Sequence, residues 1–404
     1  MISAVLAGVL VGVALGTISG CIPGIHVNTM AGLLLSGVGV LTLWMGPVTL
    51  AVALFAALIT HTFLDIVPGT FFGIPDPDTA LSVLPAHSLC LKGDGPFAVR
   101  ISALGSAWAV LFSLPFFLVF FFLLPFLQPA LDWGIGIVLL AIVGYMVISS
   151  ESPGWALLIV LVSGVLGLVS MRYSFLCWHV GGGSTVLMPL LGGMFGLSVL
   201  LTSSEGTMPE QRDAGRTIPV ACLLKNSMLG TCAGAFVGWL PGLSNATANA
   251  LLSGMTHDDE HGTGFLVATS AANTANAFLS LAAFYALSRM RNGVMVYLSA
   301  IPLPDPSILL IGGVIAAVIA FLLTVGIAGW GRILGGISVK KLSYAVTGLF
   351  VALTLLLCGP FGLFILLLAT GVGLVPYLVN VRRVFCMGAI IVPVICISLF
   401  SLSL

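Results

Sequence analysis

Charge is what this sequence has least of. Only 6% of its 404 residues are Asp, Glu, Lys or Arg, against roughly 25% in a soluble domain. The 13 Lys and Arg balance the 13 Asp and Glu, so there is no basic tail, nucleic-acid patch or acidic arm, and nucleic acid is excluded as a partner. None of the eight cysteines forms a C-x-x-C pair, which argues against a metal or disulfide framework and for small apolar residues within helices. No basic region precedes the first apolar run, so Ile18-Ser19-Gly20-Cys21 reads as part of a retained first helix rather than a cleavage site. Signatures of catalysis are missing as well. There is no G-x-S-x-G elbow, Gly181-Gly182-Gly183-Ser184-Thr185 lacks the lysine of a phosphate loop, and Gly93-Asp94-Gly95 lies in a polar connection rather than in an apolar run. The chain is therefore not read as an enzyme, and no catalytic residue, resident metal or cofactor is expected.

What remains is apolar sequence. Hydrophobic residues make up 59% of the chain and the mean hydropathy is +1.21, more apolar surface than a soluble fold can bury. A bilayer-spanning helix needs about 20 mostly apolar residues, which leaves room for roughly ten spans and several shorter segments. The expected spans or half-spans are 2–20, 28–43, 47–66, 101–127, 134–149, 154–170, 185–201, 217–238, 245–254, 264–288, 307–328, 343–358, 360–380 and 385–404. Three of these, 28–43, 185–201 and 245–254, are short or glycine-interrupted and read as broken or re-entrant helices. Polar connections fall at 74–98, 203–216 and 256–262. Arg332, Lys340 and Lys341 on one side of two apolar segments and Arg382 and Arg383 on the other put both clusters on the cytoplasmic face.

The strongest signal is an internal repeat. Gly16-Thr-Ile-Ser-Gly20-Cys-Ile-Pro23-Gly24-Ile25-His26-Val-Asn28-Thr29 aligns without a gap on Gly234-Ala-Phe-Val-Gly238-Trp-Leu-Pro241-Gly242-Leu243-Ser244-Asn245-Ala-Thr247, 218 positions later. Each copy has Gly-x-x-x-Gly, which lets helices approach closely, followed by Pro-Gly, which ends a helix. The Asn, Ser and Thr residues after the break are suited to capping a second helix whose N–H groups and positive dipole end attract an anion. Paired breaks of this kind point to a transporter site near the bilayer midplane.

Each break is followed by a further polar cluster, His61-Thr62-Phe63-Leu64-Asp65 with Pro68-Gly69 in the first half and Asn273-Thr274-Ala275-Asn276 in the second. His61 and Asp65 are one helical turn apart, suited to carrying a proton or a cation. Asn249, Asn273 and Asn276 need hydrogen-bond partners in an apolar interior, and either bind substrate or join helices.

These residues resemble the large membrane permease subunit of tripartite tricarboxylate transporters, the TctA family, in a short form like that of its archaeal branch. The resemblance is carried by Gly16-x-x-x-Gly20-x-x-Pro23-Gly24, by Pro68-Gly69 leading into Leu84-Pro85-Ala86-His87 and Lys92-Gly93-Asp94-Gly95, and by Gly238-Trp239-Leu240-Pro241-Gly242. It covers most of the chain, although His26 and Asn28 stand where a more glycine-rich stretch is usual. It implies a cation- or proton-coupled permease for carboxylate anions, partnered by a small membrane subunit and an extracytoplasmic binding protein. A related family with Pro-Gly loops looks like translocases of polyprenyl phosphate, whose headgroup the same helix ends would suit.

The expected architecture is thus an all-α polytopic integral membrane protein of the cell membrane. Residues 1–404 form one transmembrane domain, with 1–201 and 217–404 as inverted-topology repeats broken at the Pro-Gly motifs. The expected mechanism is alternating access around a small organic anion held by Pro23, Gly24, Ile25, His26, Asn28 and Thr29 on one loop and Pro241, Gly242, Leu243, Ser244, Asn245 and Thr247 on the other. Asn249, Asn273 and Asn276 lie nearby, and Na⁺ on loop carbonyls or H⁺ on His61 and Asp65 is the coupling ion. A membrane scaffold without transport is the alternative, and a homodimer is among the assemblies left open.

Overall fold

The computed structural model describes residues 1–22, 45–73, 81, 83–178, 186–202, 209–212, 215–239, 245–256, 262–289, 292–334 and 338–400. Among them every regular element is a helix. In chain order these are α1 (Ile2–Cys21), α2 (Pro47–Leu64), α3 (Ile66–Phe72), α4 (Val83–Leu91), α5 (Gly95–Ile148), α6 (Pro153–Arg172), α7 (Leu187–Leu191), α8 (Ser198–Leu201), α9 (Val220–Trp239), α10 (Asn245–Met255), α11 (Thr263–Leu287), α12 (Gly293–Ser299), α13 (Pro306–Ala328), α14 (Val339–Leu378) and α15 (Gly388–Phe400).

Eight helical stretches among the described residues are long and apolar enough to cross a bilayer: Ile2–Cys21, Pro47–Phe72, Gly95–Gln128, Pro153–Arg172, Val220–Trp239, Thr263–Leu287, Pro306–Gly331 and Ser343–Leu378. Three shorter apolar helices, Gly136–Ile148, Leu187–Leu197 and Arg383–Leu399, accompany them. The expected segments 134–149, 185–201 and 385–404 fall in the three shorter helices rather than among the long ones, and two pairs of expected segments run on into one another. The expected spans 101–127 and 134–149 run together in α5, whose 54 residues would extend about 80 Å as one straight helix, far beyond a hydrocarbon core of about 30 Å. The expected spans 343–358 and 360–380 likewise join in α14, but across a break: Gly359 has φ 70 and ψ −166, and Pro360 follows. At that break the Cys358 carbonyl accepts a hydrogen bond from the Trp178 N–H at 3.3 Å. The expected segment 185–201 is divided by a π turn over Gly192–Leu197 between α7 and α8. The segment 28–43 lies outside the described residues.

Two helix pairs organise the centre. Gly8, Gly12, Gly16 and Gly20 form one stripe of α1 that lies directly on α2. A Cβ at Gly8 would stand 2.6 Å from the Thr49 carbonyl oxygen, and one at Gly16 equally close to that of Ala57. In the second pair Gly230, Gly234 and Gly238 of α9 lie on α11 in the same manner. The last three glycines of the first stripe correspond to those of the second at the 218-residue spacing of the repeat, and the backbones they touch correspond too: Gly12, Gly16 and Gly20 meet Ala53, Ala57 and His61, and Gly230, Gly234 and Gly238 meet Ala268, Ala272 and Asn276, 215 positions later. Without side chains in the way the helices approach closely, the geometry that drives association where lipid offers no hydrophobic force.

The third long helix of each half crosses to the other pair. α13 packs on α1 and α2, while α5 packs on α9 and α11. Gly312 and Gly313 admit Val52 and Phe55 on one side, and Gly105 meets the Val267 carbonyl on the other. α2 and α11 are enclosed as a result. All of the most apolar part of Pro47–Phe72 and 89% of that of Thr263–Leu287 is buried, against 22–44% in the six other long stretches, whose outward faces are left for lipid. A second bundle of α6, α14 and α15, with the π turn set against α14, packs beside this centre.

The connection between the halves folds back on the first half. Gln211 is buried, its Oε1 accepting from the Gly95 N–H at 3.0 Å and its Nε2 donating to the Cys90 carbonyl at 2.9 Å. The Arg212 N–H donates to the Gly93 carbonyl at 2.8 Å, and Arg216 pairs with Asp94 at 2.7 Å.

Candidate functional site

The central helices carry a buried polar seam. α2 is followed directly by α3, with Asp65 at the junction in helical conformation and its N–H donating to the His61 carbonyl at 2.9 Å. Pro68, one turn later, has no N–H to continue the ladder, which explains why the helix is interrupted here. His61 and Asp65 thus sit one turn apart, and both are buried, 2% and 4% exposed. Asp65 is at a helix junction but does not meet water there.

A chain of two amides leads from Asp65 to α11 and on to α10. Asp65 Oδ2 accepts from Asn273 Nδ2 of α11 at 2.6 Å, and Asn273 Oδ1 accepts in turn from Asn245 Nδ2 at 2.7 Å. Asn245 is the first residue of α10 and is buried. The chain Asp65–Asn273–Asn245 therefore joins residues separated by 208 and 28 positions. Beside it, Thr274 Oγ1 donates to Thr62 Oγ1 at 3.1 Å, where α2 and α11 cross. His61 Nδ1 lies 3.1 Å from Ser19 Oγ of α1, and Thr324 Oγ1 of α13 donates to the Phe63 carbonyl at 3.3 Å. One turn earlier on α11, Ser270 Oγ shares a hydrogen bond with Ser102 Oγ of α5 at 2.7 Å.

The other expected site residues divide into two groups. Asn249 is buried one turn along α10 from Asn245. Asn276 is on the α9–α11 seam, its side-chain oxygen against Gly238, rather than in the chain to Asp65. Thr247 falls in α10, but its side chain lies outside the described residues, as do Pro23, Gly24, Ile25, His26, Asn28, Thr29, Pro241, Gly242, Leu243 and Ser244. Sequence reasoning missed Ser19 as the neighbour of His61. Its position inside Gly16-x-x-Ser19-Gly20 was the available signal, because a residue in a close-packed glycine stripe must touch the opposing helix.

Further along, α3 ends at Gly73 in the left-handed conformation (φ 67), next to the His87 ring of α4. His87 Nδ1 donates to the Thr70 carbonyl at 2.9 Å. Burial pushes the imidazole below its ordinary pKa, partly opposed by that hydrogen bond, so the neutral ring with its Nδ1–H serves to fasten α4 to α3.

Chemically, the seam offers one carboxylate and one imidazole within an apolar stretch, surrounded by amides and hydroxyls. Ionisable residues within a membrane-spanning segment are costly to bury. Among the described residues no group of three or more His, Cys, Asp or Glu side chains could hold a metal ion.

Comparison with known proteins agrees with this architecture. No solved structure matches the chain. An uncharacterized protein of Methanocaldococcus jannaschii is 28% identical over 276 residues, covering 67% of this chain and 66% of the relative's own length, so the chain spans just under two thirds of that relative. The tripartite tricarboxylate transporter TctA family, a transporter family and not an enzyme family, matches residues 6–388. With eight helical stretches fit to cross a bilayer and a match over nearly its whole length, this multi-pass cell-membrane protein belongs to the TctA family.

Proposed function

We propose that the protein is the permease of a secondary transporter, moving a small organic anion of the carboxylate class by alternating access between halves 1–201 and 217–404, coupled to Na⁺ or H⁺. The observation that carries this reading is the Asp65–Asn273–Asn245 chain, a buried polar connection from an ionisable group in the first half to the start of a helix in the second. The reciprocal packing of α13 on α1 and α2 and of α5 on α9 and α11 supports a two-fold relation between the halves, and inverted topology is one form of it that alternating access uses. α10, with 11 residues, is about 16 Å long, too short to cross a bilayer. It fits a broken helix whose N-terminal N–H groups face an anion. Family membership supports a small membrane subunit and an extracytoplasmic binding protein as partners.

The test is ligand-dependent thermal stabilisation of the purified protein with citrate, other di- and tricarboxylates, amino acids and polyprenyl phosphate, each with and without Na⁺. A specific ligand at 100 times its Kd adds about 2.7 kcal/mol to the native state. A carboxylate should stabilise the wild type and lose that effect in the Ser244→Ala/Asn245→Ala double variant. Stabilisation by polyprenyl phosphate alone would replace the permease by a lipid-carrier translocase, and stabilisation by none of the panel would favour a scaffold.

A further inference from the structure

The orientation of each amide in the buried chain is dictated by Asp65. An ionised carboxylate only accepts, so Asn273 turns its Nδ2 toward it at 2.6 Å and leaves Oδ1 to accept from Asn245 Nδ2 at 2.7 Å. Asn245 Oδ1 is then the last group of the chain. It is buried and has no hydrogen-bond partner among the described residues, at the N-terminal residue of the 11-residue helix α10. An unmet acceptor at a helix start, where the free N–H groups favour negative charge, is a mismatch that calls for a second state.

Protonation of Asp65 supplies one. A proton taken from solvent onto Asp65 Oδ2 makes that oxygen a donor, and Asn273 then turns its Oδ1 to face it. Asn273 Nδ2 in turn donates to Asn245 Oδ1, and Asn245 Nδ2 becomes the terminal group. Carboxamide oxygen and nitrogen are nearly the same size, so both arrangements fill the same volume, and no bond other than the Asp65 O–H is made or broken. We propose that Asp65, Asn273 and Asn245 form a proton-operated polarity relay, ending in an acceptor when Asp65 is ionised and in an N–H donor when it is protonated, so that a carboxylate anion binds at the start of α10 together with one proton. The proposal rests on the permease reading and gives its coupling ion as H⁺. The proton returns to solvent when the anion leaves.

On the elements packed against α2 and α3 the other titratable side chains include His61 on α2 itself, Cys21 on α1, His87 and Cys90 on α4, Arg100 on α5 and Tyr285 on α11. α13 contributes none, Tyr297 belongs to α12 and the Lys340–Lys341 pair to the start of α14. The experiment must therefore assign the proton.

Two measurements on the purified full chain do so. In the first, citrate and succinate affinities are followed from acid to alkaline pH. The wild type should weaken by up to about tenfold per pH unit once Asp65 loses its proton, whereas Asp65→Asn, whose amide supplies both an N–H and a C=O, should bind with no such slope. A slope that survives in Asp65→Asn and disappears in His61→Gln overturns the relay and gives the proton to the imidazole. The second measurement needs no ligand. Infrared difference spectra across pH, with isotope-labelled asparagine, should show a protonated carboxyl band rising together with shifts of side-chain amide carbonyls. The carboxyl band should be absent in Asp65→Asn and the amide shifts reduced in Asn245→Ala. A carboxyl that titrates while the labelled amides stay unmoved, or one that never titrates, sinks the relay. If neither acid binds to the wild type, the permease reading is at fault, and the infrared result alone decides the relay.

Discussion

The α1–α2 and α9–α11 pairs are packed alike but carry different chemistry. In both, glycines four residues apart bring a first helix onto the backbone of a second, and the contacted residues keep a constant separation. Where the first pair places His61 and Asp65, however, the second places Asn276 and Ser280. Packing tolerates no side chain at the glycines, whereas the polar positions one or two turns away are free to differ as long as each group finds a partner. A shared scaffold with one ionisable half and one amide half fits the proposed permease, in which one half would sense an ion and both would share a ligand.

The largest effect should come from breaking the packing itself. Gly16→Leu and Gly234→Leu each drive a side chain into the opposing backbone, and each should cost about 3 kcal/mol or more, seen as lost yield and lost cooperative unfolding in detergent. Equal losses would show that the two pairs bear equal structural weight, while a tolerated Gly234→Leu would make the first pair dominant.

Asp65→Ala against Ser280→Ala sharpens the chemical difference. Removing the Asp65 carboxylate leaves a buried Asn273 N–H without its acceptor, which should cost about 1–3 kcal/mol and abolish uptake into proteoliposomes. Ser280 gives up its contacts with the Ala277 carbonyl and Asn292, a loss of about 0.5–1.5 kcal/mol with uptake kept. Uptake that survives Asp65→Ala and fails in Ser280→Ala would reverse the assignment of the halves.

A smaller effect is expected at the tie between the halves. The Arg216–Asp94 pair is short, but the arginine is 47% exposed, so Arg216→Ala should cost about 0.5–1 kcal/mol and less at high salt. A much larger loss would mean that the connection, rather than the glycine pairs, holds the halves in place. The smallest effect belongs to Gly326 in α13, where a Cβ meets nothing within 4 Å among the described residues. Gly326→Ala should be neutral or raise stability by about 1 kcal/mol, and thermal unfolding in detergent would distinguish it clearly from the close-packed glycines.

Much of this was legible in the sequence because it is local or periodic. The long apolar runs, the break before Pro360 and the Gly-x-x-x-Gly repeat each reflect chemistry read within a few residues, and the repeat spacing carried through to the contacts that Gly16 and Gly234 make. His61 and Asp65 were recognisable as a pair because helix geometry sets residues four apart on one face. Where one helix ends and the next begins was less legible. Nothing in the local pattern showed that 101–127 and 134–149 continue as one helix, since residues 128–133, including Pro129, look like a connection.

By itself, then, the sequence determined the solvent in which this protein works, its helical class and the places where helices must touch. Composition fixes the cost of exposing each segment to water, and glycine spacing fixes how closely two helices can approach. Only the tertiary structure decided that Asp65 meets Asn273 and not Asn276, that Asn245 ends the chain and that Gln211 closes over the Lys92–Gly95 turn. Those contacts link positions far apart in the chain, and their choice among several equivalent amides depends on how α10, α11 and α2 are rotated against one another. That rotation is set by the summed packing of all the central helices, which no single stretch of sequence contains.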